Sequence, residues 1–124
     1  MIAVARYGTN DLEGATRFYD AITALAGGSR VYGTPQSVAY RGPEGGTFVI
    51  GLPFEGEPTI GNGTTIAFAA PSRAAVDAMH AKALELGAKD EGAPGMRGDD
   101  ATGFYGAYFR DLDGNKLAVA CMGH

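Results

Sequence analysis

The chain has 124 residues, 45% of them hydrophobic, and 10 Lys and Arg against 14 Asp and Glu give a net charge of −4. That length allows one compact domain with its own core, the composition excludes wholesale disorder, and the sign of the charge disfavours nucleic acid as a partner. Glycine is the outlier at 20 residues, more than double its usual share of about 7%, and it follows no three-residue period. Tight turns and close backbone approaches are its expected uses. Cys121 stands alone, which rules out an internal disulfide and suits a reducing compartment. The segment Met1–Arg6 lacks the pattern of a signal peptide, and no apolar run approaches the roughly 20 residues of a membrane span. The expectation is a cytoplasmic protein with no membrane partner.

In chain order, Ile2 to Tyr7 reads as a strand. Asn10 is the expected helix cap, with Glu13 three positions on. Leu12, Ala15, Phe18, Tyr19, Ile22 and Leu25 follow at helical spacing, and Gly27-Gly28 ends the run. Extended segments are expected over Arg30–Gly33, Ser37–Arg41 and Thr47–Leu52, the last two joined by the turn Gly42-Pro43-Glu44-Gly45-Gly46. After Gly61-Asn62-Gly63 the order repeats. Thr64 to Ala69 reads as a strand, and Ser72 caps a helix with Ala75, Val76, Met79, Ala83 and Leu86 on one face. A strand starts near Lys89, and a Gly/Pro/Asp-rich loop is expected from Glu91 to Gly103, long enough to act as a lid. Tyr105–Arg110 and Lys116–Met122 form the last hairpin.

The repeat extends to the residues. Tyr40-Arg41-Gly42-Pro43-Glu44-Gly45-Gly46 matches Phe109-Arg110-Asp111-Leu112-Asp113-Gly114-Asn115, 69 positions later. The two halves also carry −2 each when the chain is divided after Asn62. The reading is an α+β fold in one domain spanning 1–124, with module one over about 1–60 and module two over about 61–124. Each module is βαβββ, one helix over a curved, mostly antiparallel sheet whose other face lines a cleft.

The opening strand with Asn10-Asp11-Leu12-Glu13 and Phe18-Tyr19 resembles the glyoxalase / bleomycin-resistance / extradiol dioxygenase superfamily, the vicinal oxygen chelate fold. So do Ile66-Ala67-Phe68 and the hairpin Arg110-Asp111-Leu112-Asp113-Gly114-Asn115-Lys116, in which Leu112 replaces the usual proline. The resemblance spans essentially the whole chain and implies paired modules, frequent homodimers and a ligand cleft. It also implies a divalent metal held by His and Glu. The matching positions here are Val4, Thr65, Val49 and Ala118, a set that cannot bind a cation. His80 beside the second helix's apolar stripe, His124, Asp99-Asp100, Asp111 and Asp113 read as solvated or turn residues, and Cys121 as a small buried hydrophobe.

Strand alternation gives the remaining candidates. With Val4 on the cleft face, Arg6 and Gly8 share it, while Ala5 and Tyr7 turn to the helix. Pairing Asp111 with Asn115 sets Tyr108 opposite Ala118, with Arg110 and Lys116 at the rim. Arg97 and Tyr105 flank the expected lid. The expected ligand-binding residues are therefore Arg6, Tyr108, Arg97 and Tyr105, with no metal and no cofactor. A guanidinium and a phenol among small apolar walls suit a small organic molecule with an anionic or carbonyl handle. The leading reading is a metal-independent, homodimeric glyoxalase/bleomycin-resistance-like protein that binds such a ligand. The alternatives are a glyoxalase-like lyase or isomerase acting on a small carbonyl or thiol-adduct substrate, and a structural or regulatory dimer with a vestigial cleft.

Overall fold

A computed structural model describes residues 1–99 and 103–122. Asp100 and His124, weighed above, lie outside the described residues. The elements of module one are β1 (Val4–Gly8), α1 (Leu12–Ala24), β2 (Ser29–Gly33), β3 (Ser37–Arg41) and β4 (Thr47–Gly51). Those of module two are β5 (Ile66–Ala69), α2 (Arg73–Glu85), β6 (Lys89–Arg97), β7 (Phe104–Arg110) and β8 (Lys116–Met122). Sheet one runs β1-β4-β3-β2 and sheet two β5-β8-β7-β6, so the same order occurs twice. In both, the first strand lies parallel to the last and the other pairs are antiparallel. The chain is an α+β fold of two modules.

The helices begin where a side chain satisfies a free backbone N–H. Asp11, not Asn10, caps α1: its Oδ1 accepts the Gly14 N–H at 3.0 Å, while the Thr9 hydroxyl accepts the Asp11 N–H at 3.0 Å. Holding Asp11 in place from Thr9 moves the cap one residue on. Ser72 caps α2 by accepting the Ala75 N–H at 3.0 Å, as expected. Gly27 at φ 79° and Gly87 at φ 106° end the two helices in the left-handed region. Leu86 is not on the buried face of α2; it lies past the last turn and is 39% exposed.

A second correction concerns the expected lid. Strand β6 continues to Arg97, through most of the Gly/Pro/Asp-rich stretch. It is an edge strand whose register against β7 shifts at Asp90/Gly92 and again at Gly92/Gly95, so Pro94 sits in a bulge where no ladder N–H is required.

Both helices and the helix-facing sides of both sheets enter one core. Phe48 of β4 lies 4.8 Å from Tyr19 of α1 and 5.0 Å from Phe68 of β5, ring centre to ring centre. Phe18 meets Phe109 of β7 at 6.1 Å. A polar junction reinforces this contact. Asp111, buried in the β7–β8 turn, accepts the Tyr19 hydroxyl at 2.5 Å and the N–H groups of Asp113 and Asn115 at 2.9 Å. Asn115 in turn donates to the Gly8 carbonyl at 3.0 Å, and the Tyr7 hydroxyl donates to the Lys116 carbonyl at 2.5 Å. Burial and the Asp111 charge push the Tyr19 hydroxyl well above its ordinary pKa, so it stays a donor.

Candidate functional site

Alternate residues on every strand leave the core and form the open face of each sheet. On sheet one, Arg6, Val49, Ala39 and Tyr32 stand side by side across four strands. The matching row of sheet two is Ala67, Ala118, Tyr108 and Gly92, and the next is Ala69, Ala120, Gly106 and Gly95. The four alanines of β5 and β8 therefore make a floor of small side chains. Tyr108 and Phe104 stand beside it on β7. The Phe104 ring covers Gly106, where an added Cβ would lie 2.8 Å from it.

Cations surround the phenol. The Arg97 guanidinium lies 5.5 Å and the Lys116 ammonium 5.3 Å from the centre of the Tyr108 ring. Such contacts contribute about 0.5–1 kcal/mol each at exposed sites. Arg97 Nη2 donates to the Ala93 carbonyl at 2.6 Å, which sits in the β6 bulge. Arg110 is engaged at the sheet's end, donating to Glu91 at 2.8 Å and to the Gly114 carbonyl at 3.0 Å. That guanidinium holds the Glu91 carboxyl below its usual pKa. On sheet one, Arg6 Nη2 donates to the Leu52 carbonyl at 2.6 Å and passes over Gly51.

Of the four expected ligand residues, the structure brings Tyr108 and Arg97 together and places Arg6 on the open face of the other sheet. Tyr105 is on neither face. It turns to α2, where its hydroxyl donates to Asp77 at 2.6 Å and Arg73 lies 5.2 Å from its ring centre. Three residues separate Tyr105 from Tyr108, and odd spacing along a strand puts two side chains on opposite faces. Lys116 was missed as a partner of Tyr108, although it lies two residues before Ala118 on the same face of β8. His80 also differs from expectation. It is buried against Phe109 and bonds Asp90 at 3.0 Å, because the start of β6 folds back over that side of α2. The Gly92 N–H and His80 hold the Asp90 carboxyl below its usual pKa. Cys121 is buried, as expected.

The positions implied for a metal carry Val4, Val49, Thr65 and Ala118 on or beside these faces. Among the described residues no three His, Cys, Asp or Glu side chains converge. This donor set does not fit a divalent cation. A cavity of about 370 Å³ lies beside this face, between the end of α1, the β3–β4 turn and the outer edge of β5, and shares Ala67 and Ala69 with the floor.

Comparison with known proteins settles the family. The model of the Glyoxalase/Bleomycin resistance protein/Dioxygenase superfamily matches residues 2–119. The chain belongs to this superfamily. A glyoxalase/bleomycin resistance protein from Albidiferax ferrireducens is 37% identical, with a TM-score of 0.89 and 98% of each chain covered. A glyoxalase/bleomycin resistance protein/dioxygenase family enzyme from Burkholderia phytofirmans shares the fold at 15% identity, TM-score 0.74 and 97% of each chain. A lactoylglutathione lyase from Agrobacterium tumefaciens does so at 21% identity and TM-score 0.68, over 98% of this chain and 92% of its own. No curated protein matches. In this chain one implied metal position, Ala118, belongs to the alanine floor and pairs with the cation-flanked Tyr108.

Proposed function

We propose that this superfamily member binds a small organic anion, without a metal, on the open face of sheet two. The observation that carries the reading is Tyr108 between Arg97 and Lys116, at 5.5 and 5.3 Å, beside the floor of Ala67, Ala69, Ala118 and Ala120. Small side chains leave room for a flat apolar body, and the two cations supply charge-assisted donors for a carboxylate or similar group. Arg6 extends the reading to a homodimer: sheet one of one copy, laid over sheet two of the other, adds a third cation and closes the cleft. Exposed apolar residues on those faces support this, with Val4 58%, Tyr32 66% and Met122 71% exposed. The protein acts by sequestering its ligand, and its single buried thiol fits the cytoplasm.

The test is thermal-shift screening of metal-free protein with aromatic carboxylates, alongside elemental analysis and light scattering. Wild type is expected to be stabilised as a dimer without bound metal, and Arg97→Ala and Tyr108→Ala are expected to lose the shift. A tight stoichiometric metal, or equal shifts in the variants, would overturn the reading. Turnover of the methylglyoxal–glutathione adduct would replace it with a lyase.

A further inference from the structure

Glycine in the middle of a strand weakens it and marks either a bulge, such as those at Gly92 and Gly95, or a place where something approaches the backbone closely. Gly92 and Gly95 of β6 have no left-handed φ to explain them. What they have is Arg97. A Cβ added at Gly95 would lie 3.2 Å from Arg97 Nη1 and meet nothing else within 4 Å. One added at Gly92 would lie 3.1 Å from Arg97 Nη2 and 3.3 Å from the Tyr108 ring. The guanidinium thus lies across two glycines, with two donors engaged: Nη2 on the Ala93 carbonyl at 2.6 Å and Nη1 on the Met96 carbonyl at 3.5 Å.

The bulge that presents this carbonyl is itself fastened. Asp90 accepts the Gly92 N–H at 2.9 Å and bonds His80 of α2 at 3.0 Å, fixing the strand just before it bends. Strand, bulge and glycines set the position of the fork, which carries five N–H donors. A planar donor fork laid along the strand, across Gly92 and Gly95, matches a carboxylate coplanar with an aromatic ring. A bulkier or tetrahedral anion lacks that coplanarity.

We infer that Gly92 and Gly95 are specificity-determining residues, which hold Arg97 flat so that the site on sheet two selects planar aromatic carboxylates. This rests on the binding reading above and deepens it. Its test is calorimetric titration of the whole protein with 2-naphthoate, its neutral amide, and cyclohexane carboxylate. Wild type is expected to prefer 2-naphthoate to both. Gly95→Ala is expected to weaken 2-naphthoate about tenfold while leaving the amide within about twofold. Arg97→Lys keeps the charge but not the fork, and is expected to lose as much. In the Arg97→Lys background, Gly95→Ala is expected to change nothing further, which a merely structural glycine would not produce. Wild type that ignores 2-naphthoate overturns the binding reading together with this inference. Wild type that binds it while Gly95→Ala binds equally well, or loses all three probes alike, overturns the inference alone.

Discussion

Arg6, Val49, Ala39 and Tyr32 cross sheet one in the row that Ala67, Ala118, Tyr108 and Gly92 occupy on sheet two. Position by position, large stands against small. Arg6 faces solvent where its counterpart is Ala67, and Tyr32 stands where module two has Gly92. Tyr108, in the middle of its sheet, replaces Ala39. The turns differ in the same way: Asp111 and Asn115 build a buried hydrogen-bond network that reaches α1, whereas their counterparts Gly42 and Gly46 carry no side chain. Duplication has kept the backbone register while freeing the outward residues to diverge, because strand alternation separates the residues that build the core from those on the open face. Module two carries the alanine floor and the turn that locks the halves together. Module one supplies the surface against which that turn closes.

The largest expected difference is in stability. Asp111→Ala leaves the Tyr19 hydroxyl and three N–H groups of the turn without their acceptor, and is expected to cost about 3 kcal/mol or more in urea unfolding. The other turn has Gly42 at the matching position, and removing its one carboxylate, Glu44→Ala, is expected to stay within about 0.5 kcal/mol. Equal losses would end the asymmetry. Tyr19→Phe removes one donor to that carboxylate and is expected to cost about 1.5 kcal/mol in the same assay.

On the open faces, Arg97→Ala is expected to weaken binding of an aromatic carboxylate about tenfold. Tyr105→Phe, on the far side of β7, is expected to leave it unchanged, although the hydroxyl it removes is bonded to Asp77. Calorimetry that ranked Tyr105 with Arg97 would show the ligand on the α2 side.

The smallest effect separates the modules by pH. Arg30 and the Tyr40 hydroxyl, both bonded to Asp20, hold its carboxyl below the ordinary value. Being lower in the folded than in the unfolded chain, this pKa adds stability above the ordinary carboxylate range. That stability is lost as pH falls through the lowered value. The pair is half exposed, so the gain is small. Burial raises the Asp113 carboxyl in module two, so its protonation favours the fold as pH falls. Asp20→Asn is expected to flatten the acid limb of a stability–pH profile, and Asp113→Asn to steepen it.

Much of this could be read in the sequence. Hairpin turns and helix periods are local signals, so both modules, their repeat and the pairing of Tyr108 with Ala118 followed from counting residues. Parity would also have separated Tyr105 from Tyr108. What escaped depended on contacts that residue spacing does not show, local at Asp11 and between elements elsewhere. The cap at Asp11 is chosen by Thr9, the burial of His80 by β6, and β6 itself by β7, which tolerates glycine and proline at its edge. The posture of Arg97 needs two glycines that composition alone reads as loop-formers.

The central claim is that the open face of sheet two, and not the cavity beside β5, receives the ligand. Amide chemical shifts of metal-free protein titrated with 2-naphthoate test it most directly. The shifts are expected to concentrate at Gly92, Gly95, Tyr108, Ala118 and Ala120. Shifts concentrated instead at Ala26, Gly28, Thr47 and Ile66, around the cavity, would contradict it.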